Sequence, residues 1–184
     1  TKNDGIFTPN SNQIKSFKKI MYLKDVDDID TNQMIDQIID WIDADRRPRN
    51  FGLEDYFYTG PSNSNQQYAD NRMFYTLNEL KNIPSFRGEN WPHLSNFLCA
   101  YPINNFAINI NTLTKTDGLL FSSLFKELSE DDADYILSNY PESGFKDLNE
   151  LYMSYQDITF GELYGNIAFS SNIFHLKTRS KVED

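Results

Sequence analysis

The stretch NFAININ, residues 105–111, decides the fold class, because the period of the sequence changes there. Phe106, Ile108 and Ile110 alternate with small or polar residues, which is the pattern of a half-buried strand. On its N-terminal side the periodic segments are helical. Ile14, Phe17, Ile20 and Met21 follow Ser11, a candidate cap, and predict a helix over 12–23. Ile35, Ile38, Ile39 and Ile42 mark one face of a second helix over 31–42. The carboxylates of DVDDID before it suit the positive end of its dipole.

Between 43 and 75 little periodicity survives, and Pro48, Gly52, Gly60, Pro61 and SNSNQQ predict a long irregular loop. Loops of that length usually serve a function or need something to order them. Helical signals resume with TLNE at 76–79, a capping box, and with WPHLSNFL at 91–98, where Pro92 suits a first turn. Beyond the strand, KTDGLLFSSLF behind Thr114, EDDADYILSNY behind Ser129 and DLNELY after the turn PESGF predict three short helices. NIAFS at 166–170 and IFHLKTRSKV at 173–182 then predict strands. Helices, strand, helices, strands is the order of an α+β protein with helical insertions. The expected organisation is a first helical unit over 1–104, sheet strands within 105–111 and 157–184, and a second helical unit over 112–156.

Composition narrows the function. A chain of 184 residues can bury roughly 70% of its unfolded surface, and 39% apolar with 15% aromatic residues supplies a core. The net charge of −10 and the absence of a basic stripe, apart from RRPR at 46–49, argue against a nucleic-acid partner. No apolar run is long enough to span a membrane, and TKNDGIFTPNSN does not read as a signal peptide. Cys99 is single, and its neighbours Phe97 and Leu98 predict a buried thiol without a catalytic role. His93 and His175 read as structural residues, and there is no Ser-His-Asp or glycine-rich phosphate motif.

WIDADRRPRNFGLEDYFY, residues 41–58, carries Asp43, Asp45, Glu54 and Asp55 around a turn, with Asp40 just upstream. Such crowding is costly unless something positive sits among the carboxylates. Flexible loops rich in Asp, Glu, Asn and carbonyls are what Ca²⁺ uses for its six to eight oxygen ligands. The loop has no Cys or His, so zinc is poorly supported. The spacing is not that of an EF-hand, and solvated surface charge remains the competing reading. Asp43 and Glu54 as an acid–base pair for glycoside hydrolysis are disfavoured by the like charges around them.

IIDWIDAD at 38–45, GLEDYFY at 52–58, ADNRMFYTLNEL at 69–80 and ININ at 108–111, followed by a Thr and an apolar helix, resemble the K minor pseudopilin family of the type II secretion system. LSEDDADYILSNYPESGFKDLNELY at 128–152 is similar to that family's second helical unit, and FSSNIFHLKT at 169–178 to its closing strands. Met73 departs from the family's usual Pro, and Leu113 and Thr114 replace an Ala-Pro pair.

The resemblance implies a pilin-like small β-sheet carrying a large inserted helical domain of SAM-like or helix-hairpin-helix-like type. It also implies a non-enzymatic tip subunit of the pseudopilus that complexes with the I and J minor pseudopilins. The domain would face the periplasm, with an inner-membrane contact only through an N-terminal helix that this sequence does not contain. Calcium in the helical domain is part of what it implies, and the expected ligands are Asp43, Asp45, Glu54, Asp55 and an oxygen from near Asn71. These carboxylates exceed what one divalent ion requires, so one or two Ca²⁺ ions are expected. Asp40 lies one turn back, and it either joins that set or faces solvent or Arg47.

ININT, the paired short helices and GFKDLNEL are also similar to helix-hairpin-helix modules of DNA-uptake proteins. LSEDDAD would set negative charge at the supposed phosphate contact, which weighs against DNA binding.

Overall fold

The computed structural model describes residues 9–63, 66–88, 90–95, 98–100, 107–171 and 178–179. α1 (Ser11–Leu23) starts one residue earlier than the spacing predicts, because Asn10 and not Ser11 is its cap: the Asn10 side chain accepts the Asn12 N–H at 2.9 Å. α2 (Asp28–Ile42) begins three residues early. Asp27 accepts the Ile29 N–H at 2.7 Å, which draws Asp28 and Asp30 into the first turn. Both adjustments follow from side-chain oxygens satisfying N–H groups that the first helical turn leaves unpaired.

The long loop contains one short helix, α3 (Asp55–Tyr58). The capping box at Thr76 is present, with Glu79 accepting the Thr76 N–H at 2.8 Å, but it opens a 3₁₀ turn over Leu77–Asn82. A second 3₁₀ turn covers Pro84–Phe86, and α4 spans Asn90–Leu94. Met21, Met34, Trp41, Tyr58, Ile83, Phe86 and Leu94 form the buried centre of this first core. Trp41 and Tyr58 meet edge to face at 4.9 Å, joining the end of α2 to α3. Cys99 is exposed and not buried, so its apolar neighbours in sequence did not report its surroundings.

The strand at the change of period is short. β1 is Ile108–Asn109, and Ile110–Thr112 turns away as a 3₁₀ turn, while residues 105–106 lie outside the described set. β2 (Ile167–Ala168) pairs with it in parallel, with Ile108 opposite Ile167 and Asn109 opposite Ala168. Parallel neighbours require a long crossover. Here it is the run of α5 (Gly118–Ser123), α6 (Glu130–Ser138) and α7 (Leu148–Ser154). The strand expected over 173–182 lies outside the described residues except 178–179, as does His175.

Ser129 caps α6 and Asp147 caps α7 through their side chains, at 3.0 and 2.9 Å. Asn111 ties this region together. Its Nδ2 donates to the carbonyls of Phe145 and Phe169 at 2.8 and 3.0 Å, and its Oδ1 accepts from the Phe145 N–H and the Tyr140 hydroxyl at 2.8 and 3.1 Å. Gly144, at φ +69°, lets the turn pass against that amide, since a Cβ there would stand 2.8 Å from Asn111 Cγ.

A second core surrounds Ile110, Phe121, Leu124, Phe125, Leu128, Ala133, Ile136 and Leu151. α5 bridges the two cores: Phe121 enters the second, while Leu119 is buried in the first.

Candidate metal centre

The site grows out of the C-terminal end of α2. Asp40 lies in its last turn and Asp43 is its C-cap, and no basic residue accompanies them there. Two carboxylates at the negative end of a helix dipole raise the local energy. Burial raises it further, since Asp40 is 0% exposed, Asp43 4% and Glu54 2%. Asp45, two residues on, is partly buried and accepts the Arg47 N–H at 2.7 Å where the chain leaves the helix end. Glu54 stands at the N-cap position of α3 but makes no capping bond with its side chain.

One carboxylate oxygen each from Asp43, Asp45 and Glu54 lies within 4.8 Å of the others. Two oxygens on opposite sides of one Ca²⁺ stand about 5 Å apart, so the trio has the span of a single hard-cation site. Asp43 Oδ1 and Glu54 Oε1 are buried and accept no hydrogen bond among the described residues. A buried anionic oxygen without a donor is costly. A cation bound by these oxygens removes that cost, and the absence of His or Cys from the trio favours a hard ion.

The titration of the group reflects the same crowding. Burial first, then the neighbouring Asp45 and Asp40, push Asp43 up to about 6. Burial, then Asp40, Asp43, Asp45 and Asp55, push Glu54 up to about 7.

Asp55 is outside this trio. Its Oδ1 accepts the Ala69 N–H at 2.9 Å, fastening the far side of the loop to α3. Asn71, at φ +50°, donates its backbone N–H to the Trp41 carbonyl at 3.1 Å and its Nδ2 to Ala69 O at 3.2 Å. Asp55 therefore holds the loop to α3, and Asn71 holds it against the end of α2.

Asp40 is outside the trio, and it faces neither solvent nor Arg47. It is enclosed, accepting the Arg49 N–H at 3.1 Å, with the Arg49 Nε 3.8 Å from Oδ1. Burial, opposed in part by the Arg49 N–H and charge, pushes its pKa up to about 6. Asp36, one turn earlier, accepts the Phe51 N–H at 3.2 Å, so the i, i+4 pair Asp36 and Asp40 anchors the returning loop. That spacing was the available signal for Asp40, together with Gly52.

Gly52 packs directly on the Asp40 carboxylate. An added Cβ would run into Asp40 Oδ2 and stand 2.6 Å from Cγ and 2.9 Å from the Arg49 N. Gly52→Ala is accordingly expected to cost about 2 kcal/mol by overpacking. Urea unfolding checks it, and a midpoint unchanged from the parent would contradict the close approach.

The sequence matches family models described as type II secretion system protein K over residues 1–103 and again over 108–158. The chain belongs to the type II secretion system protein K family. Relatives of that description from Escherichia coli and Dickeya chrysanthemi are each 30% identical, over 78% and 73% of this chain but 44% and 36% of their own lengths. One from Aeromonas hydrophila is 26% identical over 73% of this chain and 40% of its own. The chain thus spans less than half the length of these protein K relatives. A chain of the crystal structure of the GspK-GspI-GspJ complex from enterotoxigenic Escherichia coli has a similar fold, with a TM-score of 0.66 at 22% identity over 80% of this chain and 51% of that one. Protein K is a component of an envelope secretion machine, and no described helix here is long and apolar enough to cross a membrane.

Proposed function

We propose that this chain is the periplasmic body of a minor pseudopilin that joins the I and J minor pseudopilins at the tip of the type II secretion pseudopilus and supports export of folded proteins. The observation that carries this reading is the pair of family matches, which cover most of the chain in order. The similar fold of a chain from a GspK-GspI-GspJ complex supports it. In this reading the protein is non-enzymatic, the full-length protein is held in the inner membrane, and the short parallel pair belongs to a pilin-like sheet. The inserted helical domain, of SAM-like or helix-hairpin-helix-like type with units over 1–104 and 112–156, is the bulk that keeps another subunit from stacking above it.

Its acidic loop holds calcium, with Asp43, Asp45 and Glu54 as ligands and Asp55 and an oxygen from near Asn71 completing the set for one or two ions. Calcium would supply the positive charge that these oxygens lack and so fasten the loop to α2 and α3. DNA binding draws no support, since Glu130, Asp131 and Asp132 fill the first turn of α6.

Co-purification with the soluble domains of the I and J partners tests the assembly. A ternary complex at micromolar concentration is expected. Three folded proteins that elute separately would sink the tip-subunit reading, whatever the metal content.

A further inference from the structure

α1 presents two kinds of face. Phe17, Ile20 and Met21 pack into the first core. Lys15, Ser16 and Lys19, which share a stripe by their i, i+3 and i, i+4 spacing, reach the segments around the second core instead. Lys15 Nζ donates to Glu162 Oε1 at 2.7 Å, and the Ser16 and Ser123 hydroxyls are 3.2 Å apart.

Lys19 enters deepest. Its Nζ lies 2.8 Å from the Ser122 carbonyl oxygen, 2.6 Å from that of Phe125, 2.7 Å from that of Leu128 and 3.3 Å from that of Lys126. The three short contacts match the three N–H bonds of an ammonium.

These oxygens belong to one segment, which runs from the C-terminal end of α5 to the residue before the Ser129 cap. The segment is pinned independently of Lys19. Lys126 N donates to Glu162 O at 2.8 Å, Glu127 N to Phe160 O at 3.0 Å, and Tyr164 N to Leu124 O at 2.7 Å. The carbonyls are therefore held converging on one point, where they meet a cation carried on another helix. All four partners of the ammonium are neutral dipoles, and burial accordingly pulls the Lys19 pKa below the usual lysine value.

We propose that the 122–128 turn is a monovalent-cation site built of backbone carbonyls, and that Lys19 fills it with a tethered ammonium, keying α1 and the first core onto the second. Carbonyl oxygens replace the hydration shell of a cation of matching size. Ammonium and potassium have nearly equal radii, so removing the lysine side chain leaves a cage suited to either.

The test is chemical rescue. Lys19→Ala is expected to melt about 4–8 °C below the parent chain in tetramethylammonium chloride. It should recover much of that loss in methylammonium or potassium chloride at equal ionic strength, while the parent responds to neither. Lys19→Met keeps an apolar stem across the cage, so it should lose stability and not be rescued. Equal responses of Lys19→Ala and the parent to the small cations would overturn the proposal. If Lys19→Ala does not fold in any of these salts, the parent chain still decides by ¹⁵N NMR of its lysine ammonium groups. Lys19 protons should exchange with water far more slowly than those of exposed Lys18, and equally fast exchange would overturn the cage.

Discussion

Chelating divalent metal from the purified chain is expected to lower its melting temperature by about 5–10 °C, the consequence of losing about 2.7 kcal/mol from a ligand held at a hundredfold excess over its dissociation constant. The 43–75 loop should become sensitive to protease at the same time, because α2, α3 and the loop meet at Asp43, Asp45 and Glu54. The decisive variant is Glu54→Gln. In calcium it removes a ligand and should melt well below the parent. In chelator it removes one of several buried like charges, so it should melt at or above the parent. A carboxylate that only made structural hydrogen bonds would lower stability in both buffers. Stability of Glu54→Gln reduced equally with and without calcium, and no bound calcium on metal analysis of the parent, would refute the cage.

How much of this was legible in the sequence depended on whether a residue's role was local. Ser129 before EDDADYIL accepts an N–H three residues on, and Glu79 of TLNE reaches back to the N–H of Thr76, so both caps could be read directly. Asp43, Asp45 and Glu54 were legible as a crowd, and the structure brings one oxygen of each within 4.8 Å of the others. Asp40 was not legible in its detail. The i, i+4 spacing of Asp36 and Asp40 is shared with solvated helix faces, so by itself it does not mark a carboxylate that will be covered by Arg49 and Gly52, both brought back from a loop.

Lys19 was hidden for the same reason. A lysine among IKSFKKIM reads as a solvated face, and the four carbonyls that surround it lie more than 100 residues away. The brevity of β1 has a different cause. Asn109 accepts the Asn111 N–H through its side chain at 3.0 Å, which supports a 3₁₀ turn at the point where the alternating pattern would continue the strand.

The metal-free chain is expected to become less stable as pH rises from about 4 to about 7, opposite to a protein whose carboxylates are salt-bridged. The sign follows from the three enclosed carboxyls. Asp40 and Asp43 are raised from 3.8 to about 6, and Glu54 from 4.5 to about 7, with burial the largest cause in each. Across that window the folded chain holds more protons than the unfolded one. Its stability is therefore greatest below the unfolded values and is lost as pH climbs through the folded ones. A shift of two units corresponds to about 2.7 kcal/mol for one group, and because the three interact, a total of about 3–6 kcal/mol is expected.

Saturating calcium should reverse the trend, since the cation takes the place of the protons and binds better as they leave. The melting-temperature gap between calcium and chelator should then widen from pH 5 to pH 7.5. The general repulsion of a chain with a net charge of −10 also grows with pH. The double variant Asp43→Asn with Glu54→Gln separates the two contributions, for it keeps most of that charge and should flatten the profile in chelator. A metal-free parent that gains stability between pH 4 and 7, or a double variant that follows the parent's slope, would show that these carboxyls are not held as a proton-loaded cage.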